Sequence, residues 1–541
     1  MGILCAGSNH RAFDRLASIG IAPIESVGSV SNVREILEIT FWSKKPNHYT
    51  GFIQWRMTVT NAKSILIARA HEVDAIDVSG VKTGEAVSRT VLLVQCERFV
   101  YQQCLSLLPP TLTTSHFTRP HHRGNMDPVL IVGAGIVGLT LGQALKQKNI
   151  PFVIYERDPH PDSRGQGWAI TLHWALQYIE ALVPSETLQR IQDAQVDPEV
   201  ARNDNGNFLF INLATGEPKF KIPPSKRWRV NREKMRRALL AGIEEHVHFD
   251  KRVDGVTFTE DGRPQLLFCN GDVEEHVAGK LVVGMEGSRS TVRRFLRPDA
   301  YRNVQLPVRF IGVAVDLTDD EVAPLRNMDP LLFQGCHPET GVYLWFSILE
   351  SPANNVNGLW RVQINLSWPV KTADDEVPKT DKERLALMKK RAAGFVPFLY
   401  ETVQRIPDGT PVVEVSLADW ECLPWDNRDG KVTLASDAAH AMVMYRGEAA
   451  NHGLLDIFHL IEAIATIYAG GDQKVAIDEY EREMRERTAP AVRLSRQACL
   501  EAHVWDQLNE GNENKPQQAT ENYNNRNGHG TAHESACYQP N

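Results

Sequence analysis

The stretch Pro128-Val-Leu-Ile-Val132-Gly133-Ala-Gly135-Ile-Val-Gly138, continued by Leu139 to Lys148 and then by Phe152-Val-Ile-Tyr155-Glu156, decides the fold. Pro128–Val132 is a short apolar run of the kind a buried parallel strand needs. Leu139 to Lys148 reads as a helix that Asn149 and Pro151 bring to an end. Phe152–Tyr155 is a second strand and delivers an acid, Glu156, at its end. The three glycines have separate roles. Gly133 permits the tight turn, Gly135 lets a pyrophosphate approach the backbone, and Gly138 lets helix and strand pack closely. The helix N-terminus turns unpaired N–H groups and the positive end of its dipole toward that pyrophosphate. Glu156 is placed to accept hydrogen bonds from a ribose diol and to repel a 2′-phosphate. A lone Gly-x-Gly-x-x-Gly is weak evidence. With strand, helix, second strand and terminal acid in place it specifies a dinucleotide-binding unit, and leaves FAD and NAD both open.

Two stretches farther along repeat the strand-to-helix design. They are Leu281-Val-Val-Gly284-Met-Glu286-Gly287-Ser-Arg-Ser290-Thr-Val-Arg293 and Val432-Thr-Leu-Ala-Ser436-Asp437-Ala-Ala-His440. The second continues through Met444-Tyr-Arg-Gly447-Glu-Ala449-Ala450-Asn451-His-Gly453 to Asp456. Each reads as a buried strand ending in an acid and small residues before helical sequence resumes. Acids and backbone N–H groups then lie at the carboxyl ends of strands, where open α/β sheets bind ligands.

With these three motifs in this order, the chain from about Met126 to about Leu500 resembles the class A flavoprotein monooxygenases, the p-hydroxybenzoate hydroxylase-like family, and particularly its fungal secondary-metabolism members. The resemblance implies an α/β fold: a Rossmann-type FAD-binding domain with an inserted β-sheet substrate domain and C-terminal helices. It implies FAD as cofactor, NAD(P)H as co-substrate, and O₂. The substrate it implies is a medium-sized aromatic or polyketide-like metabolite, hydroxylated or epoxidised through a C4a-hydroperoxyflavin. Asp437 inherits a hydrogen bond to the ribityl chain, and Gly447, Ala450 and Asn451 inherit an approach to the flavin ring and pyrophosphate. Arg232, in Val230-Asn-Arg232-Glu-Lys-Met235, matches the arginine that opens a cofactor-touching helix. Arg164 and Ala169, in Arg164-Gly-Gln-Gly-Trp-Ala169, match a stretch that lies along the cofactor. Together with Gly133, Gly135, Gly138 and Glu156, these are the expected cofactor residues.

The departures are specific. Met285-Glu286 stands where the family has Ala-Asp, in a segment that serves both FAD and NAD(P)H. Ser436 replaces a glycine, Met444 a proline and Ala449 a glycine. Serine and alanine are small replacements that a backbone tolerates unless it needs a positive φ, and they read as subfamily character. No second Gly-x-Gly-x-x-Gly is present, so a separate NADPH domain is not expected. Phe333-Gln-Gly335-Cys-His337 has the wrong spacing for the Baeyer–Villiger signature, and the flavin-halogenase signature is missing.

Bulk properties agree. The formal net charge of −8 argues against nucleic-acid binding, which demands a basic surface. No apolar run approaches the roughly 20 residues that span a bilayer. The eight cysteines form no Cys-x-x-Cys, so neither a zinc site nor a disulfide framework is expected, and the chain reads as cytoplasmic. The expected organisation is an N-terminal extension (1–125), the first part of the FAD-binding domain (126–300), the substrate sheet (301–425), the FAD-binding return (426–475), a C-terminal helix (476–508) and a disordered tail (509–541). Residues 1–125 fit a small extra domain, a targeting extension or an upstream reading frame, with Met126 as a natural start.

The expected chemistry requires no dedicated acid–base pair. Substrate contacts should come from the inserted sheet, and Arg309 and Tyr343 are the candidate catalytic residues, against the plainer reading of solvated or packed strand residues. His246-Val-His248 reads as a strand edge, with no metal site expected. His440 reads as a turn-fixing residue, Tyr480 to Arg487 as the charged face of an amphipathic helix, and Pro490 as a kink or stop. Two alternatives use the same fold: a flavin oxidase or dehydrogenase, and a flavin-binding protein without turnover, the latter motivated by Glu286, Ser436 and Met444.

Overall fold

The strand Val129–Val132 is buried along its whole length because it lies in the middle of a five-stranded parallel sheet. The strands run in the order Val247–His248, Phe152–Tyr155, Val129–Val132, Leu281–Gly284 and Val432–Leu434. The three motif strands are therefore neighbours, and their turns leave from one edge of the sheet. The computed structural model describes residues 126–163, 168–204, 208–222, 226–271 and 273–508, with the backbone of three earlier strands. The fingerprint helix, Ile136–Gln147, covers one face, and the helix Ala449–Tyr468 packs beside it.

A seven-stranded sheet forms the second layer. Its order is Val413–Glu414, Val308–Leu317, Trp360–Pro369, Tyr343–Glu350, Leu332–Cys336, Phe208–Asn212 and Pro218–Ile222. The expected substrate sheet began at 301; the observed sheet also takes two strands from ahead of that point. Period-two patterning sets its faces. Val362, Ile364, Leu366 and Trp368 join a core with Val322, Leu325, Leu385, Met388, Leu399 and Val403 of the covering helices. Burying such a side chain contributes about 1.5–3 kcal/mol, which fixes the register. Gln363, Asn365 and Ser367 face the other way, opposite Ser347, Trp345 and Tyr343 of the neighbouring strand.

The C-terminal helix Gln473–Glu501 runs through Pro490, so the expected stop does not occur there. Pro490 removes one backbone donor, but Ala491, Val492, Ser495 and Ala498 are buried around it, and that packing carries the helix onward. The charges of Tyr480 to Arg487 are likewise not all on a solvated face. Glu481 is buried and accepts from Thr433 Oγ1 (2.7 Å), Trp425 Nε1 (2.9 Å) and Asn427 Nδ2 (3.0 Å). Burial pushes its carboxyl up to about 7 despite those bonds. No helix among the described residues is long and apolar enough to cross a membrane. Glu35–Trp42, Phe52–Val59 and Ile67–His71 form a three-stranded antiparallel sheet in a separate unit, residues 1–121.

Candidate active site

The fingerprint turn is built around space that only glycine leaves. Gly133 has φ +107°, and a Cβ on it would lie 2.7 Å from Met285 O. A Cβ on Gly138 would lie 2.1 Å from Gly133 O, so helix and turn touch there. Above Gly135 the opposite holds: nothing lies within 4 Å of the position its Cβ would take. The first intrahelical bond runs from Leu139 N to Gly135 O (2.9 Å), so Ile136, Val137 and Gly138 present N–H groups that the helix cannot use. Glu156 is buried, and its carboxylate accepts from Ala134 N (2.8 Å) and Asp158 N (3.0 Å). Arg236 grips the same turn from the other side, donating to Ala134 O (2.8 Å) and Pro161 O (2.7 Å). Sequence reading passed over Arg236. Its signal was the four-residue spacing from Arg232, which puts both on one helix face.

The return turn is built around charge. The Asp437 carboxylate has no donor within hydrogen-bonding distance among the described residues, and burial raises its pKa against the nearby positive charges of His440, Arg232 and Arg293. Arg293 is buried and donates to the carbonyls of Tyr301 (3.0 Å), Asp437 and Ala438 (3.3 Å each), which ties the middle motif to the return turn. His440 Nε2 lies 2.6 Å from Asp456 Oδ2, both fully buried, and Arg487 Nη2 lies 2.8 Å from Asp456 Oδ1. Burial alone would raise the Asp456 carboxyl, but His440 and Arg487 outweigh it and hold the group well below the usual carboxylate range. Asp456 also accepts from Ser436 N (2.8 Å). Ser436 has φ +57° and ψ −145°, so this backbone does need the positive φ that its small side chain was expected to escape.

The helix Ala449–Tyr468 starts without a side-chain cap, and its first internal bond is His452 N to Glu448 O (2.9 Å). Ala449, Ala450 and Asn451 thus leave their N–H groups to other partners. The Asn451 side chain is fully buried. It accepts from His173 N (3.0 Å) and donates to Thr171 O (3.1 Å) and Gly447 O (3.2 Å). Gly447 sits just ahead with φ +64° and open space where a Cβ would be. Glu286 accepts from Val292 N (2.8 Å) through Oε1, while Oε2 is buried without a partner, and burial raises its pKa.

The remaining expected residues fall in different surroundings. Arg232 is exposed; its backbone N–H bonds Trp168 O (3.0 Å), and its positive charge is felt at Asp437. Ala169 is half-buried on a strand paired with Trp228–Asn231. Arg164 lies outside the described residues. Tyr343 is buried on the polar face of the large sheet, donating to Gln334 Oε1 (2.6 Å). Arg309 stands in register with Trp368 on the opposite, helix-covered face and forms a bidentate pair with Glu376 (2.7 and 2.8 Å). His246 and His248 pack against the rings of Phe152 and Tyr155.

Open space over Gly135, free N–H groups at two helix ends, and the half-buried Asp437 carboxylate, which has no donor among the described residues, make a cradle complementary to phosphate oxygens and sugar hydroxyls. A dinucleotide fits it. The family described as FAD binding domain matches residues 126–495. A protein of Arthroderma benhamiae named "Probable FAD-dependent monooxygenase" is 41% identical over 403 residues, covering 70% of this chain and 93% of the relative. The FAD-dependent monooxygenase dbaB of Emericella nidulans is 44% identical over 336 residues, covering 61% of this chain and 84% of its own length. Among solved structures, Klebsiella pneumoniae HpxO complexed with FAD and uric acid superposes with a TM-score of 0.57 at 19% identity, over 74% of this chain and 92% of that one.

Proposed function

This chain belongs to the FAD binding domain family and is an FAD-dependent monooxygenase, and on that premise we propose that it oxidises NAD(P)H and uses O₂ to hydroxylate or epoxidise a medium-sized aromatic or polyketide-like metabolite. The observation that carries the reading is the Asp437 carboxylate, half-buried at the edge from which all three motif turns leave, with no hydrogen-bond donor among the described residues. Bound FAD supplies hydride acceptance and oxygen activation; the chain supplies position, charge and exclusion of water. In this reading Gly135 and the N–H groups of Ile136 to Gly138 hold the pyrophosphate, and Glu156 a ribose diol. Asp437 holds the ribityl chain, and the N–H groups at Ala450 and Asn451 face the flavin ring. Arg232 offsets phosphate charge. Substrate lies on the polar face of the seven-stranded sheet, where Tyr343 stands. The buried thiols Cys336, Cys422 and Cys499, all unpaired, support a reducing, cytoplasmic setting.

Fluorescence titration of FAD tests the central assignment. A charge-assisted hydrogen bond to a hydroxyl contributes about 1.5–3 kcal/mol, so Asp437→Ala should raise the FAD Kd roughly 10- to 100-fold. Unchanged affinity rejects the role of Asp437. Bleaching of the bound flavin by NADPH tests the redox half, and a flavin that stays oxidised rejects it.

A further inference from the structure

We propose that Arg229 is the anion-binding group of the substrate site, and that the substrate presents to it an acidic oxygen: a carboxylate, an enolate or an ionised phenol. The proposal rests on the reading that the polar face of the seven-stranded sheet holds the substrate. Arg229 lies on the strand Trp228–Asn231, in register with Thr171. Its neighbours Trp228 and Val230 enter the core of the parallel-sheet layer, so strand alternation sends Arg229 the other way, toward Tyr343–Glu350. There its Nη2 donates to Ser347 Oγ (2.9 Å) and its Nη1 to Thr171 Oγ1 (3.0 Å). Its Nε has no partner, and its Cζ lies 5.6 Å from the centroid of the Trp345 ring.

No carboxylate meets this guanidinium among the described residues. The other buried arginines show how unusual that is. Arg227, two residues earlier, pairs with Asp204 at 2.7 Å. Arg446 pairs with Glu448 at 3.0 Å, and Arg487 with Asp456 at 2.8 Å. Arg293 has no bidentate acid but donates to the carbonyls of Tyr301, Asp437, Ala438 and Ser288 and to Asn303 Oδ1 (2.7 Å). Arg236 donates to two carbonyls, with Glu156 and Asp158 each 3.8 Å away. Arg229, only 5% exposed, has two hydroxyls that can turn toward another partner. Burial, with the nearby charge of Arg227, lowers its pKa to about 9, so it still carries its proton at neutral pH. A buried charge without a counter-ion is costly, and a site that keeps one is built for a ligand that brings the opposite charge.

The surroundings give that ligand a shape. Trp345 stays half-buried although its strand has partners on both sides. Opposite it stands Asn365, 1% exposed, whose Oδ1 has no donor. Gly312, next in register, has no Cβ; one there would lie 2.1 Å from that oxygen and 3.5 Å from the Trp168 ring. Indole faces, an unpaired amide acceptor and an unpaired cation on one side of the sheet suit a flat hydroxyaryl compound. Its acidic oxygen would meet Arg229, and its un-ionised hydroxyl Asn365.

The test uses the FAD-loaded full chain, titrated with 2,4-dihydroxybenzoate and with its uncharged methyl ester and followed by flavin difference absorbance and calorimetry. The wild-type protein should bind the acid about 10- to 100-fold tighter than the ester, the ratio expected from one charge-assisted hydrogen bond. Arg229→Met should erase that preference, and Arg229→Lys should keep part of it. FAD affinity should be the same in all three proteins. The Tm of the ligand-free protein is a separate readout. Arg229→Met should leave it unchanged or raise it, because the variant removes an unpaired buried charge. Equal affinity for acid and ester in wild type, no binding of the acid at millimolar concentration, a preference that survives in Arg229→Met, or a lowered Tm in Arg229→Met would each overturn the proposal. Failure to take up FAD, or to be reduced by NADPH, instead breaks the functional reading beneath it.

Discussion

The turn after Val129–Val132 and the turn after Val432–Leu434 leave the same edge of one parallel sheet, and both need a residue with positive φ. The first has Gly133 at φ +107°, with Met285 O so close that no side chain fits. The second has Ser436 at φ +57°, and its N–H is held by a buried carboxylate 20 positions along the chain. Local sterics define the first turn. The second is defined by a long-range ion network that tolerates a locally unfavourable residue. The two should therefore fail in different ways when altered.

The steric turn should break hardest. In Gly138→Ala the new Cβ would meet the backbone oxygen of Gly133 at 2.1 Å, and backbone cannot swing aside as a flexible side chain can. Overpacking of this kind costs about 1–3 kcal/mol and occasionally more, and here it also displaces the N–H groups that face the open space over Gly135. The expected outcome is a protein that takes up no FAD at micromolar cofactor. Normal flavin content would show that the turn is less tightly packed than these distances say.

The ionic turn should fail through its partners and through pH. Asp456→Ala leaves His440 buried without its acceptor and Arg487 with Glu483 as its remaining acid, a loss of about 3–5 kcal/mol, measurable by urea unfolding. The pH profile sharpens the assignment. The Asp456 pKa is depressed in the fold, so its contribution is complete above the unfolded value of about 3.9 and is lost as pH falls below it. His173 and His503 are also depressed, both to about 4, chiefly by burial. Their contribution is complete above their unfolded pKa of about 6.5 and is lost as pH falls from there toward 4. Glu481, raised to about 7, opposes the histidine loss, since its contribution grows as pH falls from 7 toward the unfolded carboxyl value. Below about pH 4 wild type should lose stability more steeply than Asp456→Ala, which lacks the share due to Asp456 and keeps the share due to Asp375. A variant with the wild-type profile below pH 4 would remove Asp456 from the network.

That difference also explains what could be read in advance. Gly133, Gly135, Gly138 and Glu156 were legible because each answers a demand made within one strand–turn–helix unit. Sequence did not disclose that Phe208–Asn212 joins the seven-stranded sheet by a parallel pairing, because a register that sets Leu209 beside Phe333 leaves no local mark. Arg487, Glu481 and Arg229 were hidden for a related reason. A charge in an amphipathic helix or strand reads as solvated until its partner, 31 to 118 positions away, is placed beside it. Pro490 does not end its helix, because the buried side chains around it offset the lost donor.

The smallest expected effect bears most directly on the comparison. If Ser436 is held against its own preference, Ser436→Gly should stabilise the protein. Its φ of +57° with ψ −145° lies beside the region that only glycine enters freely, and a residue forced there costs about 1–3 kcal/mol. Glycine removes that cost but loses more chain entropy on folding, about 0.5–1 kcal/mol. The net expectation is a gain of about 1 kcal/mol, a rise of roughly 1–2 °C in Tm for a unit of this size. Ser436→Ala is the control: it keeps the Cβ, hence the strain, and should give no gain. The opposing influence is packing, because the Ser436 hydroxyl stands 2.9 Å from where a Cβ on Gly453 would be and fills the gap beside that helix. If Gly lowers the Tm, that contact outweighs the backbone strain, and the serine is part of what shapes the turn. If Gly raises it while Ala does not, the turn is held in place by Asp456 against a residue that would rather leave it.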